Sequence, residues 1–370
     1  MFVDDAVRMR ELVERLADAP IAALDTESNG MHAFRERVCL LQISLPGLDA
    51  VIDPLAVSPM PLAAWLADPT RMKILHAADN DVRSLRRDWD LQLNNVFDTM
   101  LAARALAWPA KGLGDILATH FGCATDKRWQ RHDWSQRPLA AAALEYARTD
   151  TRHLAALREL QHAALVETGR LDDFEHACQR LTELIPRPRV FDPQGWSQID
   201  GARELDDVGR ETLAELYVVR EHIAGTLDRA PYRILGESVL LELARLRPAT
   251  RQALIGIRGV GGPVAHRFAP MLVEHIARAI AGPAPSWPAP PARPDKRLRE
   301  RFDALRDWRR AHAATRGLEP DMLLSKDALN RIAELDPPDA AALAASGVLD
   351  AWELQRYADP IVAALARVRR

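Results

Sequence analysis

IAALDTESNGMHAFRERVCLLQISL, residues 21–45, holds two runs of strand-forming residues separated by a polar loop. The first, 21–25, is apolar and ends in an acid. The second, 38–45, is rich in β-formers and has the length of a buried strand. Working outward, residues 50–52 make a third short run closed by Asp53-Pro54, and 72–75 and 96–97 read as further strands. Residues 62–66 and 81–89 have helical spacing. Strands interleaved with helices predict a sheet flanked by helices, an α/β unit. From about residue 139 the strand signals stop, and Ala/Leu/Arg-rich helical patterns run to the C-terminus.

A chain of 370 residues is too long for one ordinary core. With 48% apolar and 27% charged residues it is a soluble globular sequence rather than a disordered one. Its 49 basic and 52 acidic side chains exclude attachment to nucleic acid by bulk positive charge but leave room for local basic faces. Cys39, Cys123 and Cys178 form no CxxC pair, which favours a reducing compartment over a disulfide scaffold or structural zinc. No run approaches a membrane span, and the N-terminus does not read as a signal peptide. A cytoplasmic protein is expected, with no membrane partner.

Residues 185–195 carry three prolines, and 283–294 carry six. Both read as connectors, and the second separates two similar segments. The similarity is a gapless repeat at an offset of 89 residues: Arg220 pairs with Arg309, Pro231 with Pro320, Leu240 with Leu329, Leu246 with Leu335 and Leu254 with Leu343. Tandem copies of one small helical module account for it. The expected organisation is an α/β domain over 1–182, a connector over 183–206, one module over 207–282, a linker over 283–296 and a second module over 297–370. Each module is expected to have its own core, which makes a monomer the default.

Three short stretches carry the acids of interest. Asp25 and Glu27 stand at i and i+2 at a strand end and share a face. Asp81 sits in the first turn of a helix following strand 72–75. Tyr146 and Asp150 stand at i and i+4 on a later helix. Each alone has an ordinary reading: a solvated strand end, an acid favoured by the helix dipole, a surface Tyr–Asp pair. His76 reads as a packed, hydrogen-bonded strand-end histidine. Together they place four carboxylates and a phenol in one α/β unit, an oxygen-rich set suited to Mg²⁺ or Mn²⁺.

DTE followed by VCLLQIS, then HAADNDVRSL, then YARTD resemble the three exonuclease motifs of the DEDD superfamily, tyrosine subtype. Position 145, where the histidine subtype has its orienting residue, is Glu. DKRWQRHDWSQRPL (126–139) and FDTMLAARAL (97–106) are similar to the ribonuclease D family, and the repeat resembles the HRDC module that this family carries in two copies. The resemblance implies an RNase H-like mixed sheet flanked by helices, followed by two small all-α HRDC domains. It implies a 3′–5′ exoribonuclease that releases 5′-mononucleotides with two divalent ions, acting on RNA with a free 3′ end, tRNA precursors above all. By the same resemblance Asp25 bridges the ions, Glu27 and Asp150 complete one site, Asp81 holds the other, and Tyr146 orients the attacking water.

Lys127, Arg128, Gln130, Arg131 and Arg137 are expected to face RNA, with Trp134 in the core. In the second module Arg309, Arg310, Arg316, Arg367, Arg369 and Arg370 are candidate phosphate contacts, and removing that module through the linker is expected to be tolerated. The GIRGVGG turn at 256–262 has two readings, a backbone nest for phosphate or a tight helix–helix turn. A DNA exonuclease of the same superfamily and a non-catalytic nucleic-acid-binding protein are the alternatives.

Overall fold

The first two strands of the opening stretch form an antiparallel pair: β2 (Ile21–Ser28) lies against β3 (Val38–Leu45), with Asp25 opposite Gln42 and a register shift at Glu27/Ser28. The computed structural model describes residues 1–123, 127–260, 262–283, 285–288 and 295–369, apart from the side chains of residues 127 and 263–265. A turn through Gly47, at φ +77°, returns the chain from β3 into antiparallel β4 (Leu48–Ile52). β1 (Phe2–Val3) runs parallel to β4, while β5 (Met72–Leu75) and β6 (Val96–Asp98) add parallel strands beyond β2. The sheet order is β1-β4-β3-β2-β5-β6, a mixed sheet.

Helices cover both faces, so the strands read as continuous apolar runs rather than alternating ones. On one face α1 (Ala6–Ala17), α2 (Ala63–Ala67) and α3 (Asp79–Trp89) bring Leu12, Leu66, Val82 and Leu85 against Ala22, Leu24, Leu41 and Ile43. On the other lie α4 (Thr99–Ala105), α5 (Leu113–Phe121), α6 (Ala141–Arg152), α7 (Leu154–Glu167) and α8 (Leu171–Thr182). There Ala23, Ile74 and Phe97 meet Ala102, Ile116, Leu154, Leu157 and Phe174, and Leu40 and Val51 meet Ala143 and Ala147 under α6.

The repeat reappears helix by helix. The first module comprises α9 (Asp207–Leu227), α10 (Pro231–Ile234), α11 (Glu237–Leu246), α12 (Arg251–Ile255) and α13 (Pro263–Ala281). The second comprises α14 (Lys296–Arg316), α15 (Pro320–Leu323), α16 (Lys326–Leu335), α17 (Ala340–Ala345) and α18 (Ala351–Ala366). Arg220 donates to the Leu235 carbonyl at 3.4 Å, and its repeat partner Arg309 donates to the Leu324 carbonyl at 2.6 Å.

Two expectations change here. The segment expected as a connector is, from Trp196 to Leu205, part of the first module's core: Trp196, Ile199, Ala202 and Leu205 are buried with Leu213, Leu216 and Ile223. The second module has a core of its own, in which Leu305 of α14 is buried with Leu329 and Ile332 of α16 and Ile361 and Leu365 of α18, but that core is continuous with the α/β unit. Leu305, Leu318, Met322, Leu323 and Tyr357 belong to one apolar cluster with Phe97, Phe174 and Cys178 of the α/β unit. Around it Arg104 pairs with Glu319 (2.7 Å) and Asp321, Arg316 with Asp173 (2.5 Å) and Arg180 with Glu353 (3.1 Å). The Trp352 ring stacks on His176 with centroids 4.0 Å apart. Both modules dock on the α/β unit through the same corner, residues 228–232 in one and the equivalent 317–321 in the other.

Candidate active site

The alternation along β2 sorts its last residues. Ala23, Asp25 and Glu27 share a parity and point to the α6–α7 face, whereas Thr26 shares the parity of Ala22 and Leu24 and points to the α3 face. The third acid therefore arrives from the opposite layer. Asp81, on the first turn of α3, accepts a 2.6 Å hydrogen bond from the Thr26 hydroxyl. The turn that starts α3 holds Ala77 at φ +62°, and Asp98 keeps it in place. The Asp98 carboxylate is buried and accepts from the backbone N–H groups of Ala77, Ala78, Met100 and Leu101 at 2.8–3.1 Å. His76 is bonded to Thr99 at 2.9 Å, as the sequence predicts.

α6 supplies the remaining pair. Tyr146 and Asp150 lie one turn apart and are hydrogen-bonded to each other. Carboxylate oxygens of Asp25, Glu27 and Asp150 all lie within 4.8 Å of one another. Burial and then the charges of Asp81, Asp150 and Glu27 push Asp25 well above the usual carboxylate range, and burial with Asp150 and Asp81 does the same to Glu27. Asp81 is pushed up to about 6 and Asp150 to about 7, in both cases chiefly by burial. Three acceptor-only side chains crowded at that spacing form a donor set that fits hard divalent cations. A second group of ligand types, His176, Asp350 and Glu353, is already committed: Asp350 and Glu353 cap α18 reciprocally, and they pair with His176 and Arg180.

Two loops frame the acids. The loop after β2 closes on itself, Asn29 accepting from the Arg37 N–H at 2.9 Å, and the first module grips its tip. Asp228 accepts from the Arg35 N–H at 2.8 Å, the Ala230 N–H donates to the His32 carbonyl at 2.9 Å, and the Tyr232 hydroxyl donates to the Met31 carbonyl at 2.5 Å. His32 in turn donates to the Arg131 carbonyl at 3.1 Å, joining this loop to the basic segment. That segment begins as a 3₁₀ turn, Lys127–Arg131, and packs beside Tyr146 through Trp134, whose ring stacks on Tyr146 at 6.1 Å.

Arg128, Gln130 and Arg131 are exposed, and Trp134 is buried as expected. The Lys127 side chain lies outside the described residues. Arg137 departs from the RNA-facing expectation: its guanidinium clamps buried Asp53 at 2.6 and 2.7 Å and donates to the Trp134 and Cys39 carbonyls. In the second module Arg309, Arg316 and Arg369 are likewise spent internally, on Leu324, Asp173 and Asp336, and Arg370 lies outside the described residues. Gly259 answers the GIRGVGG question for its own position. At φ +94°, with a Cβ there meeting Val239 at 2.6 Å, it serves a tight turn. Gly261 lies outside the described residues. Thr26 and Asp98 were not anticipated as site supports. Asp98 carried a readable signal, an acid at a strand-to-helix junction; Thr26 carried none.

Family comparisons bear on this geometry. The 3′–5′ exonuclease family matches residues 1–161, and the HRDC domain matches twice, at 210–276 and 299–365. Ribonuclease D of Gluconacetobacter diazotrophicus is 30% identical over 284 residues, covering 75% of this chain and 71% of that protein. Protein RRP6-like 3 of Arabidopsis thaliana is 36% identical over 279 residues, 69% of this chain, but the chain spans only 31% of its length. In fold the chain resembles Escherichia coli RNase D, described as an exoribonuclease involved in structured RNA processing, with a TM-score of 0.64 over 99% of this chain and 98% of that one at 22% identity.

Proposed function

The chain belongs to the ribonuclease D family of 3′–5′ exoribonucleases, and from that premise we propose that it removes nucleotides one at a time from RNA 3′ ends as 5′-mononucleotides. The observation that carries the reading is the meeting of Asp25, Glu27 and Asp150 oxygens within 4.8 Å, with Asp81 against the same strand end and Tyr146 on the helix of Asp150. Asp25, Glu27 and Asp150, with Asp81 beside them, are the residues that would hold the cations. Two divalent ions, Mg²⁺ or Mn²⁺, would supply there an activated water and charge neutralisation of the leaving 3′ oxygen.

Tyr146 orients the attacking water through its hydroxyl; a phenol titrating near ~10 is a positioning group rather than a strong base. Trp134 fixes its ring from behind. Arg128 and Arg131, exposed on the segment whose Trp134 stacks on Tyr146, meet the phosphates of the incoming strand. The natural substrates are tRNA precursors, handled by a cytoplasmic monomer whose cysteines are unpaired.

The test is digestion of matched 3′-labelled RNA and DNA strands by wild-type and Tyr146→Phe protein with Mg²⁺, Mn²⁺ or EDTA. RNA should shorten stepwise, and EDTA should stop it. Tyr146→Phe should lower kcat roughly 10- to 1,000-fold with unchanged metal dependence. Equal cleavage of DNA would favour the DNA exonuclease instead, and activity in EDTA would overturn the metal reading.

A further inference from the structure

Gln42 stands in the middle of β3 with 0% of its surface exposed, and neither its Nε2 nor its Oε1 has a hydrogen-bond partner among the described residues. A buried amide left unpaired is costly, and a leucine or methionine of similar volume would fill the same space without that cost. Packing alone therefore does not account for the residue.

Its position suggests what does. In the antiparallel ladder Gln42 is the partner of Asp25. Cross-strand partners point to the same face with Cβ atoms about 4.5–5.5 Å apart. That face is the one α6 covers: Leu40, two residues before, packs on Ala143 and Ala147, and Ser44, two residues after, shares a 2.7 Å hydrogen bond with Thr151. Gln42 thus lies between them, beneath the turn of α6 that carries Asp150 and beside the strand position of Asp25.

We propose that Gln42 is a positioning residue of the carboxylate site, its Nε2–H donating to the Asp25 carboxylate when cations are bound. The inference rests on the reading of these acids as metal ligands. A carboxylate shared by two ions needs its plane fixed, and hydrogen bonds to ligating carboxylates do this in metal sites generally. A neutral amide can do so without bringing a positive charge that would compete with the cations, as Arg or Lys would.

The test uses the full chain with Gln42→Met, which keeps length and removes the amide, and Gln42→Asn, which keeps the amide and shortens its reach. Thermal unfolding is followed in EDTA and across a Mn²⁺ series, alongside kcat and KM on a short RNA. In EDTA, Gln42→Met should unfold at the wild-type temperature or above, because an unpaired buried amide has been removed. Its Mn²⁺ midpoint should rise by about 10- to 100-fold, and kcat should fall while KM for RNA stays put. Gln42→Asn should lie between the two proteins, and it serves as the deciding variant if Gln42→Met does not fold. Wild-type Mn²⁺ midpoints in both variants would make Gln42 a packing residue and overturn the proposal. A wild-type protein with no Mn²⁺ response would instead overturn the reading of the acids, and this proposal with it.

Discussion

Asp150 and Asp81 hold their protons to about 7 and about 6 because burial disfavours their charged forms. Each folded-state value lies above the value of a free carboxyl, so the folded protein binds more protons than the unfolded chain across that interval. Stability from these groups is present below about pH 4 and is lost as pH rises towards 7. Asp150→Asn removes one such group. In EDTA the variant should unfold at a higher temperature than wild type, by a margin that grows between about pH 4 and pH 7. With Mn²⁺ the order should reverse, because the ionised carboxylate then has a cation. A margin in EDTA that does not change with pH would show that Asp150 titrates normally. The arginines make a different point at this scale. Arg137 and Arg316 have the right charge for RNA, but buried Asp53 and Asp173 hold them.

At the scale of elements, the site depends on where α3 begins. Asp98 ends β6, caps α4, and with its remaining capacity ties down the turn from β5 into α3. One carboxylate thus sets two helix starts, and through α3 it places Asp81. Asp98→Ala would leave up to four buried or half-buried N–H groups without their acceptor. The expected loss is about 2–4 kcal/mol in urea unfolding, with a larger proportional loss of kcat than of RNA binding, because Asp81 moves while Arg128 and Arg131 do not. Equal losses in both would mean that the turn serves stability alone.

The whole molecule uses one fold in two ways. The first module keeps its own core and grips the loop after β2 with backbone and side-chain hydrogen bonds. The second offers the same corner, but position 318 is a buried Leu where the first module has exposed Arg229, and 322 is a buried Met where the first has exposed Arg233. Its own core is continuous with that of the α/β unit. A chain ending at Pro285 should therefore unfold on the order of 10 °C below the full chain, because the apolar contacts to α8 and the Arg316 partner of Asp173 are lost together. Calorimetry of the two chains decides this. A truncated chain with the wild-type unfolding temperature would restore the view of the second module as a separable appendage.

The sequence by itself determined what depends on local period and spacing. The strand runs, the i,i+2 pair Asp25/Glu27, the i,i+4 pair Tyr146/Asp150 and the 89-residue repeat are all short-range patterns, and the structure reproduces the repeat helix by helix. Tertiary structure alone decided which partners those patterns meet. Asp81 reaches Glu27's strand from the other helical layer through Thr26, Gln42 faces Asp25 only through strand register, and the second module's apolar positions close on the α/β unit as well as on themselves. The physical reason is that periodicity shows that a face is apolar or charged, whereas what covers that face is set by contacts between residues as much as 217 positions apart, as in Arg104 with Asp321.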